Sequence, residues 1–126
     1  MNKYLATVSK KLINVYGIPN CNSVKKTRAW LEARGIAYQF HDFKKSGIDA
    51  VTLKKWLKTM PLDVLINKKG TTWRGLSDAE KVMADAPETA IELMMSKTSV
   101  IKRPVVVYGV QIFVGHDETR LQSIIL

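Results

Sequence analysis

The sequence predicts an α/β fold with a mixed four-stranded sheet and a helical insertion. Three observations lead there. A strand, a turn, a helix and a second strand open the chain, helical patterns fill its middle, and two short apolar runs on either side of Gly109 close it.

Residues 1–11 read as a weakly ordered leader, being short, polar at both ends and joined to the rest without a turn signal. Residues 12–126 read as one domain. The run 12–16 is a first strand, and Gly17, Pro19 and Asn20 end it with turn chemistry that does not continue a ladder. From 22 to 34, Val24, Thr27 and Leu31 recur at helical spacing and Gly35 stops the helix. Residues 36–43 resume an extended pattern, so the two strands are expected to be parallel with a right-handed crossover. In the insertion, about 47–98, Asp49 is placed to cap one helix and Pro61 and Pro87 to open two others. Ser77 and Glu80 form an S-x-x-E capping signature there, and 67–75 reads as a polar loop. Residues 104–108 and 110–114 predict an antiparallel hairpin, and Asp117 a cap for the last helix. A parallel pair joined edge to edge with a hairpin, with helices over the faces, is the plan of the thioredoxin fold.

Composition narrows the function classes. The 126 residues, 46% of them hydrophobic, suffice for one core without metals or disulfides. A single cysteine and no secretory signal favour a reducing compartment, most simply the cytoplasm. The longest apolar runs fall far short of the roughly 20 residues of a membrane span. The net charge of +9 suits anionic partners, but its lysines and arginines come in small groups without a nucleic-acid motif, so solvated faces are the simpler expectation. No His, Cys and Asp cluster has metal-ligand spacing, and no bound cofactor is expected.

Cys21 is the candidate catalytic residue. At a helix start its sulfur lies near unpaired backbone N–H groups and the positive end of the helix dipole, with Asn22, Lys25 and Lys26 in the following turn as candidate thiolate-stabilising groups. The alternative is a buried cysteine acting as a small hydrophobe. With Val24 where a second cysteine of a C-x-x-C pair would stand, a resolving thiol must come from outside; glutathione is the simplest candidate and a mixed disulfide the intermediate. Arg103-Pro104 opens a strand where a missing N–H is tolerated. In a thioredoxin-type domain that proline faces the thiol's helix, and the bond there is cis or trans. His41 beside Asp42 reads as structural, and Met94, Met95, Trp30 and Trp56 as core.

These residues resemble the Spx/ArsC family of thioredoxin-fold proteins, and most closely its YffB-like branch. The matching segments are YGIPNCNSVKK at 16–26, WLE at 30–32, FHDF at 40–43, LINKKGTTWR at 65–74 and IKRPV at 101–105. The resemblance implies a nucleophile at Cys21, with Arg103 near it as a second catalytic residue that orients the anionic partner, and a cis proline at Pro104; Arg103 and Pro104 are also candidate ligand-binding residues. It also implies a glutathione-dependent thiol reductase, with glutathione or a protein disulfide as partner. Arsenate reductases of the family use three arginines around the thiol; Arg103 matches one, while Asp63 and Gly115 stand at the others, which argues against arsenate. Arg74 is a candidate second ligand contact, or a surface arginine packing on Trp73. The rival expectation is an Spx-like regulatory module that docks on a protein partner, with Cys21 incidental.

Overall fold

The computed structural model describes residues 12–125; the expected leader over 1–11 lies outside the described residues. Strand β1 (Ile13–Gly17) alternates buried and half-buried positions, the period of a pleated strand. It pairs in parallel with β2 (Tyr38–Asp42), Val15 opposite Phe40, and antiparallel with β3 (Val105–Tyr108), Val15 opposite Val106. β3 pairs antiparallel with β4 (Gln111–Val114), Val106 opposite Phe113. The result is the predicted mixed four-stranded sheet, in the order β2-β1-β3-β4.

Helix α1 (Asn22–Ala33) buries Val24, Thr27, Trp30 and Leu31, residues three or four apart along one face. In α8 (Glu118–Ile125), Leu121 and Ile124 are buried, and the Asp117 carboxylate accepts from the Arg120 N–H at 3.1 Å, as its capping role requires. Ile13, Val15, Trp30, Leu31, Val106, Phe113, Leu121 and Ile124 form one core cluster, between the sheet and these helices. Each of the larger aliphatic side chains contributes about 1.5–3 kcal/mol by burial. Two arginines of α1 and its cap lie over aromatic rings rather than pointing only to solvent: Arg28 over Phe40 at 4.0 Å and Arg34 over Trp30 at 3.8 Å.

Residues 12–42 with 103–125 form one compact unit, and residues 43–102 a second. The second carries short helices: α2 (Phe43–Ser46), α3 (Ala50–Leu57), α4 (Leu62–Leu65), α5 (Thr71–Arg74), α6 (Asp78–Val82) and α7 (Pro87–Ser96). Asp49 caps α3 through the Thr52 N–H at 2.8 Å, and Ser77 and Glu80 close a reciprocal capping box on α6. Pro87 starts α7, where its missing N–H breaks no helical bond.

The insertion is wider than its expected 47–98. Phe43 ends the extended pattern by starting a helical turn, and at the far end Ile101 bridges Ile66 while the Lys102 N–H donates to the Leu65 carbonyl at 2.8 Å. The polar stretch 67–75 is not all loop, because Gly70 leads into the α5 turn. Met94 is core as expected, but Met95 is 43% exposed on the outer side of α7.

Candidate active site

Cys21 sits at the joint between β1 and α1. The chain leaves the sheet at Gly17, turns through Pro19, and holds Cys21 in an extended conformation (φ −145°, ψ 125°) immediately before the helix. Its carbonyl accepts the first helical bond, from the Lys25 N–H at 2.9 Å. Gly17 makes this joint compact. A Cβ there would fall 2.7 Å from a methyl of the fully buried Val24 and 3.8 Å from the Arg103 Cβ, so the missing side chain lets the first turn of α1 and the start of β3 close on the strand.

On the other side of the joint, the Arg103–Pro104 peptide is cis and leads directly into β3, with Pro104 buried and Arg103 half-buried. The Arg103 guanidinium hydrogen-bonds the Cys21 sulfur. Cys21 is half-buried, and burial alone would push its thiol up. Backbone hydrogen bonding by Val24, the hydrogen bond and positive charge of Arg103, and backbone hydrogen bonding by Ser23 together outweigh that, and the thiol is held below its ordinary value. The arrangement therefore favours a thiolate nucleophile open to solvent on one side.

The structure brings Cys21, Arg103 and Pro104 together within the sheet unit. Asn22, Lys25 and Lys26 stand in the first turns of α1 with their side chains exposed, and none of them is among the groups that lower the thiol; the stabilisation assigned to them in the sequence falls to Ser23, Val24 and Arg103. Arg74 belongs to the inserted unit, where its Nη2 donates to the Lys69 carbonyl at 2.6 Å, and it is Lys68 that lies over the Trp73 ring, at 5.3 Å. His41 stacks on Tyr16 with ring centroids 4.1 Å apart, and its Nε2 pairs with Asn14 Oδ1 at 2.8 Å; burial lowers its pKa. Of the two positions read from the sequence as standing where arsenate reductases carry arginines, Asp63 is an exposed acid on α4, and Gly115 has φ +87°, a region where a side chain is strained.

Gly17 and Ser23 are site residues the sequence reading missed. The signal for Gly17 was its place at the end of a strand, two residues before Pro19; for Ser23 there was only its position in the first helical turn. A cavity of about 510 Å³ beside Leu12, Ile13, Tyr108 and Ile125 lies at the start of β1, away from Cys21. Among the described residues, no helix is long and apolar enough to cross a membrane, and no three His, Cys, Asp or Glu side chains are placed to hold a metal ion.

Comparison with known proteins bears on this site. The chain is similar to a solved structure described as the YFFB (PA3664) protein, with 38% identity, a TM-score of 0.84, and coverage of 90% of this chain and 99% of that one. It is also similar to an arsenate reductase (ArsC) related protein from Brucella melitensis, at 42% identity and a TM-score of 0.69 over 89% of this chain and 92% of that one. A curated relative is an uncharacterized protein of Haemophilus influenzae, 35% identical over 112 residues, which span 89% of this chain and 97% of the relative. Residues 16–124, from the strand before Cys21 into the last helix, match the ArsC family, and the chain belongs to that family.

Proposed function

We propose that the chain is a thiol–disulfide oxidoreductase that works through Cys21 alone and completes its cycle with glutathione. The observation that carries this reading is the half-buried thiol at the head of α1, lowered by backbone N–H groups and by Arg103. In the first step the Cys21 thiolate attacks the glutathione sulfur of a mixed disulfide; the new S–S bond forms as the old one breaks, and the other sulfur leaves as a thiolate and takes up a proton. In the second, the thiolate of free glutathione attacks the Cys21-bound glutathione and restores the Cys21 thiolate. One mixed disulfide and one glutathione are consumed, and one thiol and one glutathione disulfide are released. Arg103 holds the charge of Cys21 whenever it is the leaving group.

An oxyanion such as arsenate fits less well. Of the three guanidinium positions only Arg103 is filled, and each missing charge-assisted hydrogen bond removes about 1.5–3 kcal/mol of affinity.

The test is the pH dependence of Cys21 alkylation by iodoacetamide, followed by incubation with oxidised glutathione. The rate rises with pH as the thiolate forms, and its midpoint is expected below the ordinary thiol value of about 8.5. A midpoint at or above that value removes the basis for an activated thiol and favours a protein-binding module. A low midpoint without a glutathione adduct rejects glutathione as the second thiol.

A further inference from the structure

The side chain of Thr27 is fully buried in α1, the one buried polar side chain among the described residues, and its Oγ1 lies 2.9 Å from Nδ1 of His116. Nε2 of the same ring lies 3.0 Å from the Glu118 carboxylate. A carboxylate only accepts, so Nε2 carries a proton; in the neutral ring Nδ1 is then the acceptor and the Thr27 hydroxyl the donor. Carboxylate, imidazole and hydroxyl stand in the order found in nucleophilic triads. The hydroxyl here is sealed from solvent and substrate, which leaves it an anchoring role and no catalytic one.

What it anchors is given by the neighbour of His116 in sequence. The Gly115 N–H donates to the Pro104 carbonyl at 2.8 Å. One two-residue turn therefore grips α1 through a ring and the Arg103–Pro104 segment through a backbone N–H. The chain of contacts closes on itself: Cys21, α1 to Thr27, His116, Gly115, Pro104, Arg103 and back to the sulfur.

We propose that His116 is a positioning residue for the thiol site, fixing the head of α1 against Arg103 by accepting the buried Thr27 hydroxyl while Glu118 sets its tautomer. This rests on the reading of Cys21 as the working thiol. Because a hydrogen bond to a buried group is expensive to leave half made, losing either partner frees the helix to shift on the turn. A small shift at α1 changes the approach of Arg103 to the sulfur.

Three single variants, His116→Ala, Thr27→Val and His116→Asn, whose Oδ1 can accept in place of Nδ1, and the double variant His116→Ala with Thr27→Val test it. Cys21 alkylation is followed against pH and thermal unfolding is measured beside it. His116→Ala and Thr27→Val are each expected to slow alkylation at neutral pH by about threefold or more, moving the profile to higher pH, with the double variant no slower than the worse single because both remove one contact. His116→Asn is expected to recover most of the rate. If the variants lose thermal stability while the alkylation profile stays where it is in the parent protein, His116 is merely structural and the proposal fails. Thr27→Val keeps the shape of the side chain, so it answers the question even if His116→Ala does not fold. An unactivated thiol in the parent protein is a different result, and overturns the functional reading itself.

Discussion

The sheet unit and the inserted unit are held by different kinds of information. In residues 43–102 the helices are short and locally specified, with caps at Asp49 and Ser77 and a proline at the head of α7. In residues 12–42 and 103–125 the decisive contacts join positions far apart in sequence: Val15 with Val106, Cys21 with Arg103, Thr27 with His116. The groups that lower the thiol all lie in this unit: the neighbouring backbone N–H groups of Ser23 and Val24, and Arg103 from the far end of the sequence. The lesson is that the candidate chemistry sits where a local helix start meets one long-range partner, Arg103, while the helices of the insertion are marked by short-range caps.

Four substitutions can break or sharpen that contrast. Cys21→Ser is expected to abolish glutathione adduct formation and thiol exchange outright while circular dichroism stays unchanged, since the cysteine is in no disulfide and is only half-buried; residual exchange in this variant would remove Cys21 from the chemistry. Trp56→Ala empties a 3%-exposed position in α3 and should cost about 3–5 kcal/mol in denaturant unfolding. Protein that remains folded is expected to keep the alkylation profile of the parent; a displaced profile would contradict the division of labour between the units. Gly17→Ala forces the Val24 methyl aside, an overpacking of about 1–3 kcal/mol, and should slow alkylation as well as lower the unfolding midpoint. Unchanged kinetics there would show that the close approach at Gly17 serves packing alone. Ser77→Ala removes the capping box of α6 for about 1 kcal/mol, with no change at the thiol.

The same contrast explains what was legible beforehand. Asp49, Ser77 with Glu80, Pro87 and Asp117 announce helix starts because a cap is a short-range device, and each is found at the helix it announces. The strands were readable from β-branched runs, and the sheet from their order. Cys21 stood out as the lone thiol at a strand-to-helix turn. The stabilising groups were harder. Lys25 and Lys26 are close in sequence and carry charge, yet the groups that lower the thiol are two backbone N–H groups and an arginine eighty-two positions further on, counting from 21 to 103. Backbone N–H groups have no residue signature. Thr27 was visible as a member of an apolar stripe, but nothing in the neighbourhood of His116 marks it as its partner. The bounds of the insertion were missed because Phe43 suits a strand as well as the helical turn it begins.

Val24 occupies the place of a second thiol, and it is fully buried against Gly17. With one cysteine in the chain, a covalent partner caught on Cys21 has no internal route of escape. Enzymes with two thiols must have one removed before they will retain their substrates. Under the proposed thiol exchange, the native sequence is already such a trap in the absence of small thiols, and mass spectrometry of the protein withdrawn under those conditions is expected to read its partners as adducts on a single residue.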